Sequence, residues 1–450
     1  MSKPVFTHTQ DQFKQLAQDM LRFAREKGAS DAAVEISEGG GLAISVRKGK
    51  VETIEQNRDK GIGVTVYIGQ KRGNASTSDF SQKSLSDTVD AAYNIARFTA
   101  EDDCAGLPEA ELLEMNPRDF KLFYPWDITA EQAIALACRA EDAAFATDKR
   151  ITNSEGAHVH VQHSHFVAAN SRGFVGGYPS SRHTVSVVPI AGRGARMQRD
   201  DWYSSQRNAK KLASPEAIGR YAAERALARL NAKKLDTRKC PVLFEAPLAA
   251  GLLGSFVQAV SGGALYRKSS FLLDSLGQQV LPKHVQIVEN PHQVGGIGAS
   301  PFDDEGVKTH QRDVVKNGVV QGYFLSCYSA RKLGMKTTGN AGGSHHLSMT
   351  SDLTKRGDNF AAMLKKMGTG LLVTELMGQG VNYVTGDYSR GASGYWVENG
   401  VIQYPVEEIT IAGNMREMLS QIVAIGADVL LRGSKQTGSI LLESMTVAGS

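Results

Sequence analysis

Apolar residues near the amino terminus recur at helical spacing, at Phe13, Leu16, Met20 and Phe23. Thr9 and Gln12 form a capping box before them and Gly28 supplies a stop, so a helix is expected between. The period then falls to two. Residues 33–78 read as a β-meander of the segments AVEISE, LAISVRK, KVETIEQ, IGVTVYIG and RGNASTS, turning at Lys48-Gly49 and Gly69-Gln70. Leu85, Val89, Ala92 and Ile95 predict a second helix over about 82–98. Residues 101–127 are rich in acids and proline and read as a connector.

The same programme then repeats. Thr129 with Gln132 opens a helix to about Ala146, strands alternate over 151–204, and a helix runs from Ser214-Pro215 to near Leu230. The segment 47–69 loosely echoes 171–192, so residues 1–100 and 128–231 read as a repeated helix–meander–helix unit. The polar, basic stretch 231–240 marks a boundary between an amino-terminal domain, 1–235, and a carboxy-terminal one, 236–450. Pro241-Val242-Leu243-Phe244 opens the second domain as a strand, Pro247 starts a helix, and Gly262-Gly263 closes it. Mostly strands follow, with short helices near 359–367 and 414–422, the latter capped by Asn414 and Glu417. Segregated helices and antiparallel strands make the class α+β, with a β-rich carboxy-terminal domain.

A chain of 450 residues can bury a sizeable core in each domain. Its 51 basic and 47 acidic residues leave +4, too little to argue for nucleic acid. Cys104, Cys138, Cys240 and Cys327 are scattered without a CxxC pair, which argues for reduced thiols. The start MSKPVFTHTQ lacks the apolar core of a signal peptide, and no apolar run reaches membrane-spanning length. The expectation is a cytoplasmic protein with no membrane partner.

Few constellations carry chemistry. In HVHVQHSH, His158 and His160 share one strand face and His163 and His165 the other, two imidazoles per face where catalytic zinc takes three ligands. A polar strand face is the simpler reading. His345-His346 follows a loop signal, and Asp303-Asp304-Glu305 before Gly306, with His310 behind, reads as a turn. Ser389 lies in Asp-Tyr-Ser-Arg-Gly, which is not a nucleophile elbow, and no phosphate-binding loop occurs.

One stretch stands apart. Residues 368–400 hold eight of the chain's 46 glycines, together with Glu375, Asp387, Tyr388, Ser389, Arg390, Tyr395 and Trp396. Such enrichment means sharp turns or close approach of something to the backbone. Two readings stand: a tightly wound core, or a surface facing a partner or substrate chamber with those seven residues as contacts, Arg390 being able to pair with Asp387.

The run TELMGQGVNYVTGDYSRGASGYWVENGVIQYPVEEITIAGN, and SGGALYRKSSFLLDSLG at 261–277, resemble the TldD/TldE (modulator of gyrase) metallopeptidase family, and the likeness extends over essentially the whole chain. The resemblance implies a cytoplasmic heterodimer that degrades unfolded peptides. In TldD-like relatives a helix bears His-Glu-x-x-x-His, and a cysteine ligand lies near the carboxy terminus. Alignment on PVLF and Leu252-Leu253 puts Gly254, Ser255 and Ala259 where the two histidines and the glutamate would be. None of these binds zinc or activates water, residues 241–283 contain no histidine, and Cys327 is the last cysteine. The resemblance therefore implies the TldE-type half, with no catalytic or metal-ligating residue of its own, zinc in a TldD-type partner, and a homodimer when isolated. The alternatives are a self-sufficient metallopeptidase using another site, such as the 158–165 histidines, and a non-enzymatic regulator of the gyrase-modulator kind.

Overall fold

The computed structural model describes residues 5–449. Helix α1, Gln10–Glu26, has the expected capping box at Thr9 and buries Phe13, Ala17, Met20 and Ala24. Three long strands follow, β1 (Asp31–Arg47), β2 (Lys50–Ile68) and β3 (Lys71–Thr77), then α2, Gln82–Phe98. The five short segments read from the sequence are thus three strands, because the glycines of 39–41 stay extended instead of breaking β1. Gly41 is needed there, since a Cβ at this position would lie 2.2 Å from the Val161 carbonyl oxygen on the neighbouring strand.

Helix α3, Ala130–Thr147, again starts with a capping box, at Thr129. Strands β4 (Ile151–Asn170), β5 (Pro179–Ala191) and β6 (Trp202–Gln206) follow, and α4, Pro215–Ala228, ends this half. The two helix–strand–helix units share one sheet of order β3-β2-β1-β4-β5-β6, joined by antiparallel pairing of β1 with β4. Helices α1 and α2 cover Val34, Ile36 and Val64, while α3 and α4 cover Ile44, Val159 and Val185. Even-numbered β1 residues enter both clusters, so all four helices lie on one face of the sheet. The other face is covered at one end, where Ala168 packs against the cluster of Leu113, Phe174 and Phe302, and stays open around Gly41, Gln162, Arg182 and Ser205. Residues 50–60 of β2, beyond the stretch paired with β3, are exposed throughout.

Residues 229–237 lead from α4 to β7, Arg238–Phe244, and then α5, Ala246–Ala259. Pro247 occupies the first turn of α5 as expected. Gly262 does not close this helix: α5 stops at Ala259, and Ser261 caps a second short helix, α6, Gly262–Tyr266. Strands β8 (Val285–Glu289), β9 (Arg312–Lys316) and β10 (Leu347–Ser351) form the centre of a five-stranded sheet. Helices α7 (Cys327–Lys332) and α8 (Phe360–Met367) flank β10 in sequence, and α8 leads into β11, Gly370–Met377. Then come β12 (Asp387–Glu398), β13 (Val401–Asn414), α9 (Met415–Ser420, capped by Asn414), β14 (Ile422–Ile425) and β15 (Ile440–Ala448). The last sheet runs β13-β12-β11-β7-β15-β14, and additional pairing of β13 with β15 closes five of its strands into a ring. The ring and α5 share the largest core, with Phe244, Leu253, Phe256, Tyr388, Trp396 and Ile411 among its members.

Candidate functional site

Helix α5 is the natural centre, because the resemblance puts the family's metal motif on it. Leu252, Leu253 and Phe256 anchor it in the core. Ala259 is fully buried and Ser255 is 8% exposed, while a Cβ added at Gly254 would meet only the Lys435 side chain, at 3.9 Å. Positions 255 and 259 thus contribute to packing, and position 254 faces open space.

Immediately before α5 lies Glu245, only 9% exposed. It is the N-cap residue, but its side chain makes no capping bond and turns to α4, where Arg225 Nη1 donates to Oε1 at 2.7 Å. Arg225 Nε also donates to Asp200 at 3.1 Å. One helical turn on, Arg229 pairs with Asp200 at 3.6 Å and with Glu375 at the end of β11. Burial pushes the Glu245 carboxyl up, against the pull of Arg225, and the flanking carboxylates hold the Arg225 guanidinium protonated. Tyr395 stands beside this network, its hydroxyl pushed up to about 12 by burial and then by Asp200.

Above α5, Arg432 lies 3.8 Å from the Trp202 ring centre and 3.9 Å from that of Tyr203. Arg182 on β5 donates to the Arg432 carbonyl at 3.2 Å. Arg182 and Tyr203 line both a cleft of about 410 Å³ over α5 and a groove of about 660 Å³ across the open sheet face. His160, Gln162, Thr184 and Ser186 line the groove. Side chains of alternate strand residues thus present hydrogen-bonding groups, interspersed with Arg182, Arg199, Asp201 and Glu55, along a path that ends at α5.

The other candidates resolve into structure. Among the described residues no group of three or more His, Cys, Asp or Glu side chains is placed to hold a metal ion. His158 and His160 stack 6.3 Å apart. His163 accepts from the Trp126 backbone N–H at 3.2 Å, and burial, then His183, pushes it down to about 4. His165 stacks on Phe13 at 4.5 Å beside Glu38. Asp303 accepts backbone N–H groups of Glu305, Val307 and Ala341 at 2.9–3.0 Å, the work of a turn.

Within the glycine-rich stretch, Tyr388 is 3% and Trp396 6% exposed, both in the ring core, so in this chain they are anchors and not contact area. Their even positions on β12 point inward, which the sequence alone did not reveal because bulges interrupt the β12–β13 register. Arg390 does not pair with Asp387; Asp387 instead accepts from Thr385 Oγ1 at 2.6 Å. Asp387 and Ser389 are exposed and Arg390 is half-buried. Of the seven residues singled out, only Glu375 and Tyr395 reach the network beside α5. Asp200, Arg225, Arg229, Glu245, Arg432 and Lys435 were not foreseen. The signals available were the i, i+4 spacing of Arg225 and Arg229 and an acid just before the first turn of α5.

Three domains of one family match in chain order: PmbA/TldA metallopeptidase domain 1 at residues 32–96, its central domain at 123–230 and its C-terminal domain at 237–449. The chain belongs to this PmbA/TldD metallopeptidase family. It is 48% identical to Metalloprotease PmbA of Escherichia coli O157:H7 over 94% of this chain and 93% of that protein. A solved protein from Bacteroides thetaiotaomicron, described as a candidate modulator of DNA gyrase, superposes with TM-score 0.92 at 27% identity, covering 98% of this chain and 99% of that one. TldE from Thermococcus kodakarensis shares the fold at TM-score 0.82 and 18% identity, over 96% of this chain and 100% of that one.

Proposed function

We propose that this chain is the TldE-type subunit of a heterodimeric metallopeptidase that acts on unfolded peptides, its zinc and general base residing in a TldD-type partner. The observation that carries the reading is the chemistry of α5. Gly254, Ser255 and Ala259 supply no ligand for zinc and no base for water, and two of the three are packed into the core. The open polar groove suits an extended peptide whose backbone needs hydrogen-bond partners and whose side chains vary. No helix among the described residues is long and apolar enough to cross a membrane, and the four cysteines are unpaired; both accord with work in the reducing cytoplasm.

The partner meets this chain through surfaces shared by the fold. The exposed edge of β2 with Val51 and Ile54, and the outward residues Asp387 and Ser389, are the surfaces offered for that contact. Isolated, the chain forms a twofold homodimer through the same surfaces; light scattering that gives a monomer at micromolar concentration argues against this. The central test is reconstitution. The purified chain is assayed for zinc and for cleavage of an unfolded peptide, alone and mixed with a TldD-type protein. Cleavage only in the mixture, with metal held by the partner, supports the reading; one tightly bound zinc per chain, removed with loss of its own activity, overturns it.

A further inference from the structure

The acids beside α5 are committed: Glu245 to Arg225, and Glu375 to Arg229. Around the adjoining cleft three cations have no carboxylate partner within ion-pair distance among the described residues. Arg182 spends its donors on Ser205 Oγ at 2.9 Å and on the Arg432 carbonyl. Arg432 lies against Trp202 and Tyr203 with its Nε unbonded. Asp201 and Glu245 act on it electrostatically without contacting it. Lys435 reaches over Gly254. All three line the cleft of about 410 Å³.

The cleft floor is the amino-terminal part of α5, where the helix dipole places partial positive charge, although the N–H groups of Leu248 and Ala249 already bond the Glu245 carbonyl and Pro247 has none. A Cβ at Gly251 would meet nothing within 4 Å, so the helix backbone lies open there. A second observation points to a ligand. Thr437 lines the same cleft, is 2% exposed, and its hydroxyl has no hydrogen-bond partner among the described residues. A buried hydroxyl left unpaired is costly, and an oxygen acceptor in the cleft would satisfy it. Three cations, a helix amino terminus and a free hydroxyl together define a receptor for a carboxylate.

We propose that this cleft is a subsite for the terminal carboxylate of a peptide lying in the adjoining groove, held by Lys435, Arg432 and Thr437. The peptide class rests on the function proposed above. Glu55 and Asp201 line the groove together with Arg182 and Arg199, so it has no excess positive charge for a polyanion such as nucleic acid, and a single negative terminus is the fitting ligand. The place where relatives carry a metal motif is here a site that fixes the end of the chain and so sets how far a peptide extends toward the partner.

The test uses the full chain and a fluorescent, unstructured octapeptide with neutral side chains, in three forms: free carboxy terminus, terminal amide, and terminal amide with a glutamate near the end. The free acid is expected to bind about tenfold more tightly than the amide, as one charged hydrogen-bonded contact allows. That advantage is expected to vanish in Lys435→Gln and to shrink in Thr437→Val, with circular dichroism unchanged. Equal affinity of acid and amide, or an advantage that survives Lys435→Gln, overturns the proposal. So does a glutamate amide that binds as tightly as the free acid, since the cleft would then read side chains. Binding of none of the three also overturns it, because the cleft is built wholly from this chain, while the subunit reading is decided separately by reconstitution.

Discussion

Arg225 on α4 donates to Glu245, the residue that opens α5, at 2.7 Å, so the last helix of the amino-terminal half holds the first turn of the central helix of the other half. Both side chains are largely buried, at 13% and 12% exposure. Removing one partner from such a pair leaves an uncompensated buried charge, which costs about 3–5 kcal/mol. Arg225→Ala is expected to lose that much in urea denaturation, and Arg225→Leu with Glu245→Leu to recover part of it. A loss below about 1 kcal/mol in the single variant would show that the pair does not hold the halves together.

Positions 254 and 259 should respond oppositely to histidine. Gly254 is partly exposed with room for a side chain, and glycine is a poor helix former, so Gly254→His is expected to leave stability within about 1 kcal/mol or raise it. Ala259 is fully enclosed, and Ala259→His adds volume and an unpaired imidazole, costing about 1–3 kcal/mol or more. Thermal melts of the two variants check this. A stable Ala259→His protein that binds zinc would mean that the packing of α5 does not oppose the family's metal motif.

The contrast shows what was legible beforehand. Capping boxes at Thr9 and Thr129 and the proline of α5 are local, and the helices begin where these residues direct. The identities of residues 254, 255 and 259 were legible for the same reason, while their standing at the positions of metal ligands is what the resemblance implies. The site beside α5 was not, because it is assembled from Asp200, Arg225, Glu245, Glu375 and Arg432, spread over 233 positions between 200 and 432. No periodicity encodes which loop returns to which helix. The length of β1 was misjudged because glycines at 39–41 read as a break, where the approach of β4 requires them.

Glu38 should make stability fall in acid. Burial alone would raise its carboxyl, but the backbone N–H groups of Thr7 and His8, at 2.7 and 3.0 Å, with Thr7 and His165 side chains, outweigh that and hold it at about 2. The unfolded chain titrates near the ordinary value, about 4.3. The folded carboxyl therefore titrates lower, and its contribution is fully present above the unfolded value and lost as pH falls through about 2. A shift of this size corresponds to about 2–3 kcal/mol. Glu38→Gln is expected to be less stable than the parent by about that amount at pH 7, with the difference closing between pH 4 and pH 2. Parallel stability–pH curves for the two proteins would contradict the assignment.

The last prediction separates core from surface along β12. Tyr388 is buried and its hydroxyl lacks a partner among the described residues, so Tyr388→Phe is expected to change stability by less than about 0.5 kcal/mol. Tyr388→Ala removes a packed ring and should cost about 3–5 kcal/mol, as should Trp396→Ala, which also loses the bond from its indole N–H to Glu398 at 2.8 Å and the Arg238 guanidinium 4.9 Å over its ring. Gly394→Ala should be comparably damaging, because its Cβ would lie 1.8 Å from the Leu372 carbonyl oxygen across the β11–β12 pair. Asp387 and Ser389 point outward on the same strand, so Asp387→Ala and Ser389→Ala are expected to leave the melting temperature nearly unchanged. Their readout is assembly. If this face meets a TldD-type partner, the two outward substitutions, combined, weaken complex formation in analytical ultracentrifugation while Tyr388→Phe does not. Undiminished assembly of the stable double variant removes Asp387 and Ser389 from the contact surface and leaves the exposed edge of β2 as the surface to test by the same measurement.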